Sequence, residues 1–457
     1  MTLLSLAKRY AVRTPQSLGC LLAHVPYRIR PGFGAAYRRA LRDMDWFQNI
    51  ATAQEQRQFI FQHVRAIVVH AVEHTRFYRD YYAENGFSLD DLKSFDDIKK
   101  IPMTSKALLR DVPLNDRSAP WHGRTLTYTG GSTGEPFKFY SAPEQVGNEW
   151  AHMHMIWGRL GYRQRDLLLN IALEPTASPV YYDALRHALV LNIHHPRTEI
   201  ARSFLQLAPW RRNVRFYRGY PSSFAEWLDS TDASVQQMNA VLRSTLRGSF
   251  LASEFPLPSM RRIIEDVTGR PTTSWYGHAE RAILAPEKTE RDGYKPLQSY
   301  GFCETSIDDG LCSLVGTCYW NYASPLIRYR VDDDVTPQET RDGILRAFCI
   351  DRGRFGDYIV DKGGEKFSIT HLNLSCRENT WALARTIQVE QSQPGKIIIW
   401  TTLRRPCSVE ELTRAFDFEY LNMDCEFRII SEPFRTPAGK VLLKVTSEQT
   451  RGADWER

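Results

Sequence analysis

The sequence predicts an α/β protein: a large N-terminal domain of layered sheets and helices over residues 1–352, and a small α+β domain over 353–457. Three observations carry this reading. At 457 residues the chain exceeds one ordinary core, so more than one domain is expected. Between 120 and 350, short β-like runs alternate with helical ones, the pattern of stacked sheet and helix layers. Near 350 the character changes. Cys349-Ile-Asp-Arg-Gly-Arg-Phe-Gly-Asp-Tyr358 is turn-rich and Gly363-Gly364 follows it, which suits a hinge.

The elements follow in order. Residues 50–112 read as helical, because Phe59, Ile60, Val64, Ile67, Val68, Ala71 and Val72 recur at helical spacing. Residues 125–128 and 137–140 read as two strands flanking a glycine loop. Strands are expected at 167–173 and 214–220, helices at 224–228 and 260–267. In the small domain the run Ile397-Ile-Ile-Trp400 and residues 427–430 read as strands, and 408–420 as a helix. No repeat of solenoid length and no low-complexity tract occurs.

Composition narrows the class. Hydrophobic residues at 42% and charged residues at 25% are ordinary globular values, which exclude a disordered or fibrous chain. A net charge of +6, from 59 bases against 53 acids, suits anionic small molecules and gives no case for nucleic acid. The eight cysteines form no Cys-x-x-Cys pair, so neither zinc nor a disulfide framework is indicated. Free thiols in a reducing cytoplasm are the simplest account. No run approaches about 18 apolar residues, so no membrane span is expected. The basic, aromatic segment 27–42 reads as a solvated helix face ahead of a membrane-touching one. A homodimer is compatible with all of this. His70, Glu73 and His74 match a short zinc-protease order, but no third ligand stands out, and ordinary surface histidines explain them better.

The richest stretch is Tyr128-Thr-Gly-Gly-Ser-Thr-Gly-Glu-Pro-Phe-Lys-Phe-Tyr140. Gly130, Gly131 and Gly134 permit backbone conformations that side chains forbid, so main-chain N–H groups can turn toward one point. Such a nest attracts anions. Thr129, Ser132 and Thr133 add hydroxyl donors and Lys138 a cation, which together suit a polyphosphate. Gly-x-x-x-x-Gly-Lys-Ser/Thr is absent, so this is not the P-loop of NTPases. A solvent-exposed hairpin turn accounts for the glycines alone.

Four further segments follow the loop: Ser274-Trp-Tyr-Gly-His-Ala-Glu280, Pro325-Leu-Ile-Arg-Tyr-Arg-Val-Asp-Asp333, Gly353-Arg-Phe-Gly-Asp357 and Arg435-Thr-Pro-Ala-Gly-Lys440. In this order and at these separations the set resembles the adenylate-forming (acyl- and aryl-CoA synthetase) superfamily. The segments Arg218-Gly-Tyr-Pro-Ser222, Tyr276-Gly-His-Ala-Glu280 and the stretch 68–78 look like its phenylacetate–CoA ligase and capsule-biosynthesis branch. The resemblance covers residues 60–445.

The resemblance implies an ATP- and acid-binding adenylation domain, a C-terminal lid, and two half-reactions. A carboxylate attacks the α-phosphate of ATP, and a nucleophile, by default the thiol of coenzyme A, then displaces AMP. By the same resemblance, Thr129, Gly130, Gly131, Ser132, Thr133, Gly134 and Lys138 hold the departing pyrophosphate, and Glu280 is a Mg²⁺ ligand. Asp333 takes the ribose hydroxyls, Ser253 and Glu254 lie along the adenine, and Tyr276 and Gly277 complete the nucleotide site. Lys440 bridges carboxylate and α-phosphate, and Arg354 contacts ribose or phosphate. Tyr220, Pro221, Trp275, His278 and Ala279 line the acid pocket, where the aromatics Tyr220, Phe224, Trp275 and Tyr276 suit an aryl or flat apolar acid, a place in the core being the alternative for them. Gly363 and Gly364 form the acyl-transfer face. Two departures stand out: Asp332 occupies the position usually held by Gly, and Gly356 the usually acidic hinge position. An amine, hydroxyl or carrier-protein acceptor is the alternative to coenzyme A. A non-catalytic nucleotide-binding module is the alternative from another class, disfavoured by the lysine at 440.

Overall fold

The computed structural model describes residues 14–129, 137–172, 178–308, 311–354, 358–369, 376, 378–416, 422–436 and 439–455. They form two compact units. The first comprises residues 1–167, 182–188 and 273–349, the second 168–181, 189–272 and 350–457.

In the first unit the expected helical region opens on Ala53–His74. Thr52 starts it with a capping box: its Oγ1 accepts from Glu55 N–H, and Glu55 accepts from Thr52 N–H at 2.7 Å. The apolar stripe Ile60, Val64, Ile67, Val68 and Ala71 is buried in one core with Tyr319, Ile327 and Ile344. Thr75 ends this helix and caps the next, Arg76–Glu84. His70 Nε2 meets the Tyr322 carbonyl at 2.8 Å and His74 Nδ1 the His70 carbonyl at 3.0 Å. Both rings are thus engaged by the backbone, and among the described residues no group of three or more His, Cys, Asp or Glu could hold a metal.

Gly301–Asp308, Leu311–Cys318 and Tyr329–Arg341 run as an antiparallel meander. Thr104–Ser105 pairs parallel with the start of the last strand, and Ile344–Arg354 pairs with it too. Separately, Thr272–Gly277 pairs with Leu284–Pro286, Tyr276 lying opposite Ala285. The hairpin expected around the glycine loop is present: Thr125–Tyr128 pairs antiparallel with Lys138–Ser141, Tyr128 opposite Lys138.

In the second unit, Gly248–Leu251, Phe216–Gly219, Leu168–Ala172 and Ala188–Asn192 lie side by side, the first three in parallel. All four residues of Gly248–Leu251 are buried, as expected for a parallel strand covered on both faces. Helices Arg197–Gln206, Pro221–Leu228, Ala233–Thr245 and Pro258–Thr268 accompany them. The last ends at Gly269, whose φ of 65° supplies the left-handed cap. In the C-terminal part, Lys396–Leu403 lies between Ala384–Gln393 (antiparallel) and Asp424–Ile429 (parallel), and Lys444–Val445 adds on parallel to Ala384–Gln393. Ile387, Val389, Ile397, Ile399, Leu412 and Phe427 form its core. The expected helix is Val409–Ala415, capped by Ser408. None of the eight cysteines, all of them among the described residues, is in a disulfide.

Candidate active site

The sequence-predicted residues fall into two groups, one in each unit. In the first, Glu280 is buried. Its Oε1 accepts from the Tyr329 hydroxyl at 3.1 Å, and its Oε2 lies 3.1 Å from His278 Nδ1. Gln145 holds its main-chain carbonyl at 3.2 Å. Burial pushes the Glu280 carboxyl up. The hydrogen bond and charge of His278, a backbone N–H and the charge of Lys106 more than offset this and hold it down at about 2. It is therefore an anion kept out of water. Arg281, the neighbouring cation in sequence, is not its partner. The backbone turns left-handed there, with φ of 57°, and the guanidinium donates to Ser141 Oγ at 2.9 Å. A non-glycine residue in that region costs on the order of 1–3 kcal/mol and persists only where the surroundings impose it.

Four residues before Glu280, the buried Tyr276 donates its hydroxyl to Asp333 Oδ2 at 2.6 Å. Asp333 stands four residues after Tyr329. Two side-chain bonds thus tie segment 276–280 to strand segment 329–333 across 57 and 49 residues of sequence. Strand alternation separates the acids: Asp334, on the other face, is buried and accepts from Cys312 N–H at 3.3 Å. A Cβ on Gly277 would meet Leu284 at 3.3 Å. His278 Nε2 is buried and has no partner among the described residues. Trp275 is half-buried, 6.2 Å from Trp157, and Ala279 is exposed. Thr129 closes the mouth of the glycine loop: its N–H donates to the Phe137 carbonyl at 3.0 Å, and its Oγ1 accepts from Phe137 N–H at 3.2 Å. Lys138 is exposed. Gly130, Gly131, Ser132, Thr133 and Gly134 lie outside the described residues.

In the second unit the centre is Glu254. It follows Ser253, an exposed residue with φ of 66°. Glu254 reaches the start of helix Pro221–Leu228, where its Oε2 accepts from Ser222 N–H at 3.1 Å and its Oε1 from Ser222 Oγ at 2.9 Å. Pro221 at the first helical position has no N–H, so Ser222 carries the first free donor. Burial raises the Glu254 pKa, and Lys440, the Ser222 bonds and Arg435 pull against it. Gly219 is required by close approach, since a Cβ would fall 2.6 Å from the Tyr217 hydroxyl, which itself donates to the Tyr220 carbonyl. Tyr220 is half-buried. Phe224, for which the sequence leaves pocket wall and core both open, is core, fully buried and stacked on Tyr217 at 3.8 Å.

Lys440 sits on a hairpin closed by an Arg435–Val441 bridge and by Thr436 N–H to the Lys440 carbonyl at 2.8 Å. Arg435 anchors this hairpin by pairing with Glu226, whose other oxygen pairs with Arg197. Three residues on, Asp229 accepts from Arg385 and Arg404, each at 3.1 Å. Sequence reasoning missed Glu226 and Asp229. The available signal was an acid inside helix Pro221–Leu228, all of whose residues are buried, because a buried carboxylate needs a partner. Arg354 ends the strand Ile344–Arg354, and Gly356 lies outside the described residues. Gly363 and Gly364 form an exposed turn, Asp361 accepting from Gly363 N–H at 2.8 Å.

No family model and no curated protein matches the chain. Solved structures do. One is 2-hydroxyisobutyryl-CoA ligase in the postadenylation state with 2-HIB-AMP, at a TM-score of 0.65 and 17% identity over 89% of this chain and 92% of that one. The same enzyme with 2-HIB-AMP and CoA in the thioesterification state gives 0.52 and 19% over the same shares. The anthranilate CoA ligase AuaEII with anthranoyl-AMP gives 0.51 and 16%, over 78% of this chain and 69% of that one. The fold is that of acyl- and aryl-CoA ligases. The mixed α/β arrangement of layered sheets and helices expected from sequence is the one shared with these structures. At such identities the likeness is one of fold. Among the described residues, no helix is long and apolar enough to cross a membrane.

Proposed function

We propose that the protein is an adenylate-forming ligase. It joins a carboxylic acid to ATP, giving an acyl-adenylate and pyrophosphate, then passes the acyl group to a nucleophile, by default the thiol of coenzyme A. The supporting observation is the pair of bonds Tyr276–Asp333 and Glu280–Tyr329, which gathers residues from two separate motifs into one small, charged constellation.

In the first half-reaction a carboxylate oxygen attacks the α-phosphorus and the bond to the bridging oxygen of the β-phosphate breaks. Such a step needs positioning and charge neutralisation above all. Asp333, which accepts from the Tyr276 hydroxyl, would accept from the ribose hydroxyls as well, as the resemblance implies. Glu280 fits Mg²⁺: it is ionised, its oxygens are hard, and each retains a lone pair beyond the bond it accepts. A single carboxylate is enough where the metal arrives with phosphates, and Mg²⁺ there would offset their charge. Lys440, near enough to Glu254 to lower its pKa, is the cation offered to the attacking carboxylate and α-phosphate. The backbone of residues 252–254 would lie along the adenine, and loop 129–134 with Lys138 would hold the pyrophosphate. In the second half-reaction the thiolate attacks the acyl carbon, the carbon–oxygen bond to AMP breaks, and the thiol proton goes to solvent.

The finer reading follows the phenylacetate–CoA ligase and capsule-biosynthesis branch: a cytoplasmic enzyme with residues 1–352 as adenylation domain and 353–457 as lid. The lid offers Lys440 for adenylation and Arg354 to ribose or phosphate, then the Gly363–Gly364 face for acyl transfer. Tyr220, Pro221, Trp275, His278 and Ala279 line a pocket for an aryl or flat apolar acid. Pyrophosphate release, measured with ATP, Mg²⁺ and a panel of aryl, aliphatic and 2-hydroxy acids, tests the reading. Release with one acid class and thioester formation on adding coenzyme A is expected. ATP binding without release for any acid would overturn it in favour of a binding module.

A further inference from the structure

We propose that the N-terminal helical region docks on an anionic phospholipid surface. Three observations carry this. The first is charge. Residues 1–42 hold eight of the 59 bases and none of the 53 acids, so residues 43–457 carry 51 bases against 53 acids. The whole positive excess of the protein therefore lies in its first tenth.

The second is an inverted helix. In Gln16–Ala23, the side chains Leu18, Leu21 and Leu22, with Val25 just beyond, recur at the i, i+3, i+4, i+7 spacing of one helix face. That spacing ordinarily marks the face turned to the core. Here it is the solvent face: Leu21 is 69% exposed, Leu18 48% and Leu22 50%. Gln16, Gly19 and Ala23 are the buried side, and a Cβ on Gly19 would fall 2.3 Å from the Tyr182 ring. A bulky residue at 19 is thereby excluded, so the close seat against Tyr182 fixes which face looks outward.

The third is the setting of the arginines. Ile29, 62% exposed, prolongs the apolar surface through the turn Tyr27–Ile29. Arg30 donates to the Val25 carbonyl at 3.1 Å and lies over the Tyr27 ring, while Arg38 donates to the Arg28 carbonyl. Arg28 and Arg38 are exposed, as is Arg42 one turn further along helix Gly34–Asn49. Leucines on one face with cations beside them are the make-up of an interfacial helix, which buries its apolar side chains among acyl chains and its cations among headgroup phosphates. A second copy of this chain would bring the same positive charge to the contact, which disfavours that occupant.

Flotation of the full chain with vesicles tests the proposal. Binding to phosphatidylglycerol-rich vesicles, little binding to pure phosphatidylcholine, and loss of binding at high salt are expected. Leu21→Glu/Leu22→Glu, on exposed positions, should fold with unchanged thermal midpoint and lose flotation. Arg38→Glu/Arg42→Glu should weaken it by roughly tenfold or more. Absence of flotation on anionic vesicles overturns the proposal, as does flotation that the leucine variant retains. A salt-resistant dimer in sedimentation equilibrium that dissociates in the leucine variant assigns the face to a second copy instead.

Discussion

Glu280 and Glu254 pose the same physical problem in the two units, and the chain solves it differently. Both are drawn toward the interior, and both stand next to a non-glycine residue in the left-handed region, Arg281 and Ser253 respectively. Glu280 lies between an imidazole and a phenol and its pKa is driven down to about 2. Glu254 meets a helix N-terminus and a serine, and burial wins, so its pKa rises even with Lys440 and Arg435 nearby. The first is a fixed anion, suited to a cation. The second is an acid whose charge depends on the lysine beside it. In the proposed chemistry the first belongs with Mg²⁺ and phosphates, and the second with the placing of Lys440.

The largest expected effect removes that lysine. Lys440→Ala should lower adenylation on the order of a hundredfold or more, the scale of one preorganised charge at a developing anion. Lys440→Arg should recover little, because a planar fork does not replace a point charge. Pyrophosphate release at saturating ATP is the readout. Unchanged release in the alanine variant would leave Lys440 as a mere neighbour of Glu254.

A smaller loss is expected one step removed. Glu226 holds Arg435 and so anchors the hairpin that carries Lys440. Glu226→Gln leaves two arginines short of their anion. It should cut adenylation by roughly tenfold, since a misplaced catalytic group is costly even when present. Glu226→Asp should restore part of the rate if anchoring is the role, and none if the loss reflects general damage. Equal pyrophosphate release in wild type and Glu226→Gln would detach the hairpin from this clamp.

These two residues also mark how far the sequence could be read. Tyr276, Glu280 and Asp333 stand out in the sequence because they belong to motifs, and the structure brings them together; Lys440 stands out because it ends a motif. The hairpin at 125–128 and 137–140 was legible because β-favouring runs flank a glycine cluster, a local signal. The stripe from Phe59 to Val72 was legible because period alone determines it. Glu226 and Asp229 belong to no motif. Their partners Arg197, Arg385, Arg404 and Arg435 come from segments far apart in sequence, and nothing local says which arginine pairs with which acid. Arg281 shows the same limit from the other side: it is adjacent to Glu280 in sequence, yet a left-handed turn sends its guanidinium to Ser141. Phe224 shows that an aromatic beside a motif is as readily core as pocket wall.

Tyr276→Phe sharpens the comparison on the Glu280 side. It deletes the hydrogen bond to Asp333, a net change of about 1 kcal/mol, so the KM for ATP should rise by roughly fivefold with kcat little changed. Its ring remains packed against Phe348 at 5.5 Å, so the thermal midpoint should stay close to wild type. A fall in kcat with KM unchanged would mean that Tyr276 acts on the reacting centre and not through Asp333.

The smallest effect concerns stability rather than turnover, and it tests the comparison directly. Glu280 has a folded pKa of about 2, below its ordinary 4.5. Its contribution is present above 4.5 and is lost as pH falls from 4.5 toward 2. Glu254 has a folded pKa above 4.5, so its contribution is present below 4.5 and is lost as pH rises through the raised value. One proton changes stability by no more than about 1.4 kcal/mol per pH unit, so the two slopes are modest and opposite in origin. Glutamine removes the titration in either case. Without ATP or Mg²⁺, Glu280→Gln should be less stable than wild type at neutral pH, with the gap narrowing on acidification below 4.5. Glu254→Gln should track wild type below 4.5 and gain on it as the pH is raised. Denaturant midpoints taken in steps from pH 3 to pH 7 separate the two cases. If both variants were less stable than wild type at neutral pH, with both deficits shrinking on acidification, the two carboxylates would sit in the same kind of site, and the division of labour between a fixed anion and a lysine-dependent acid would fall.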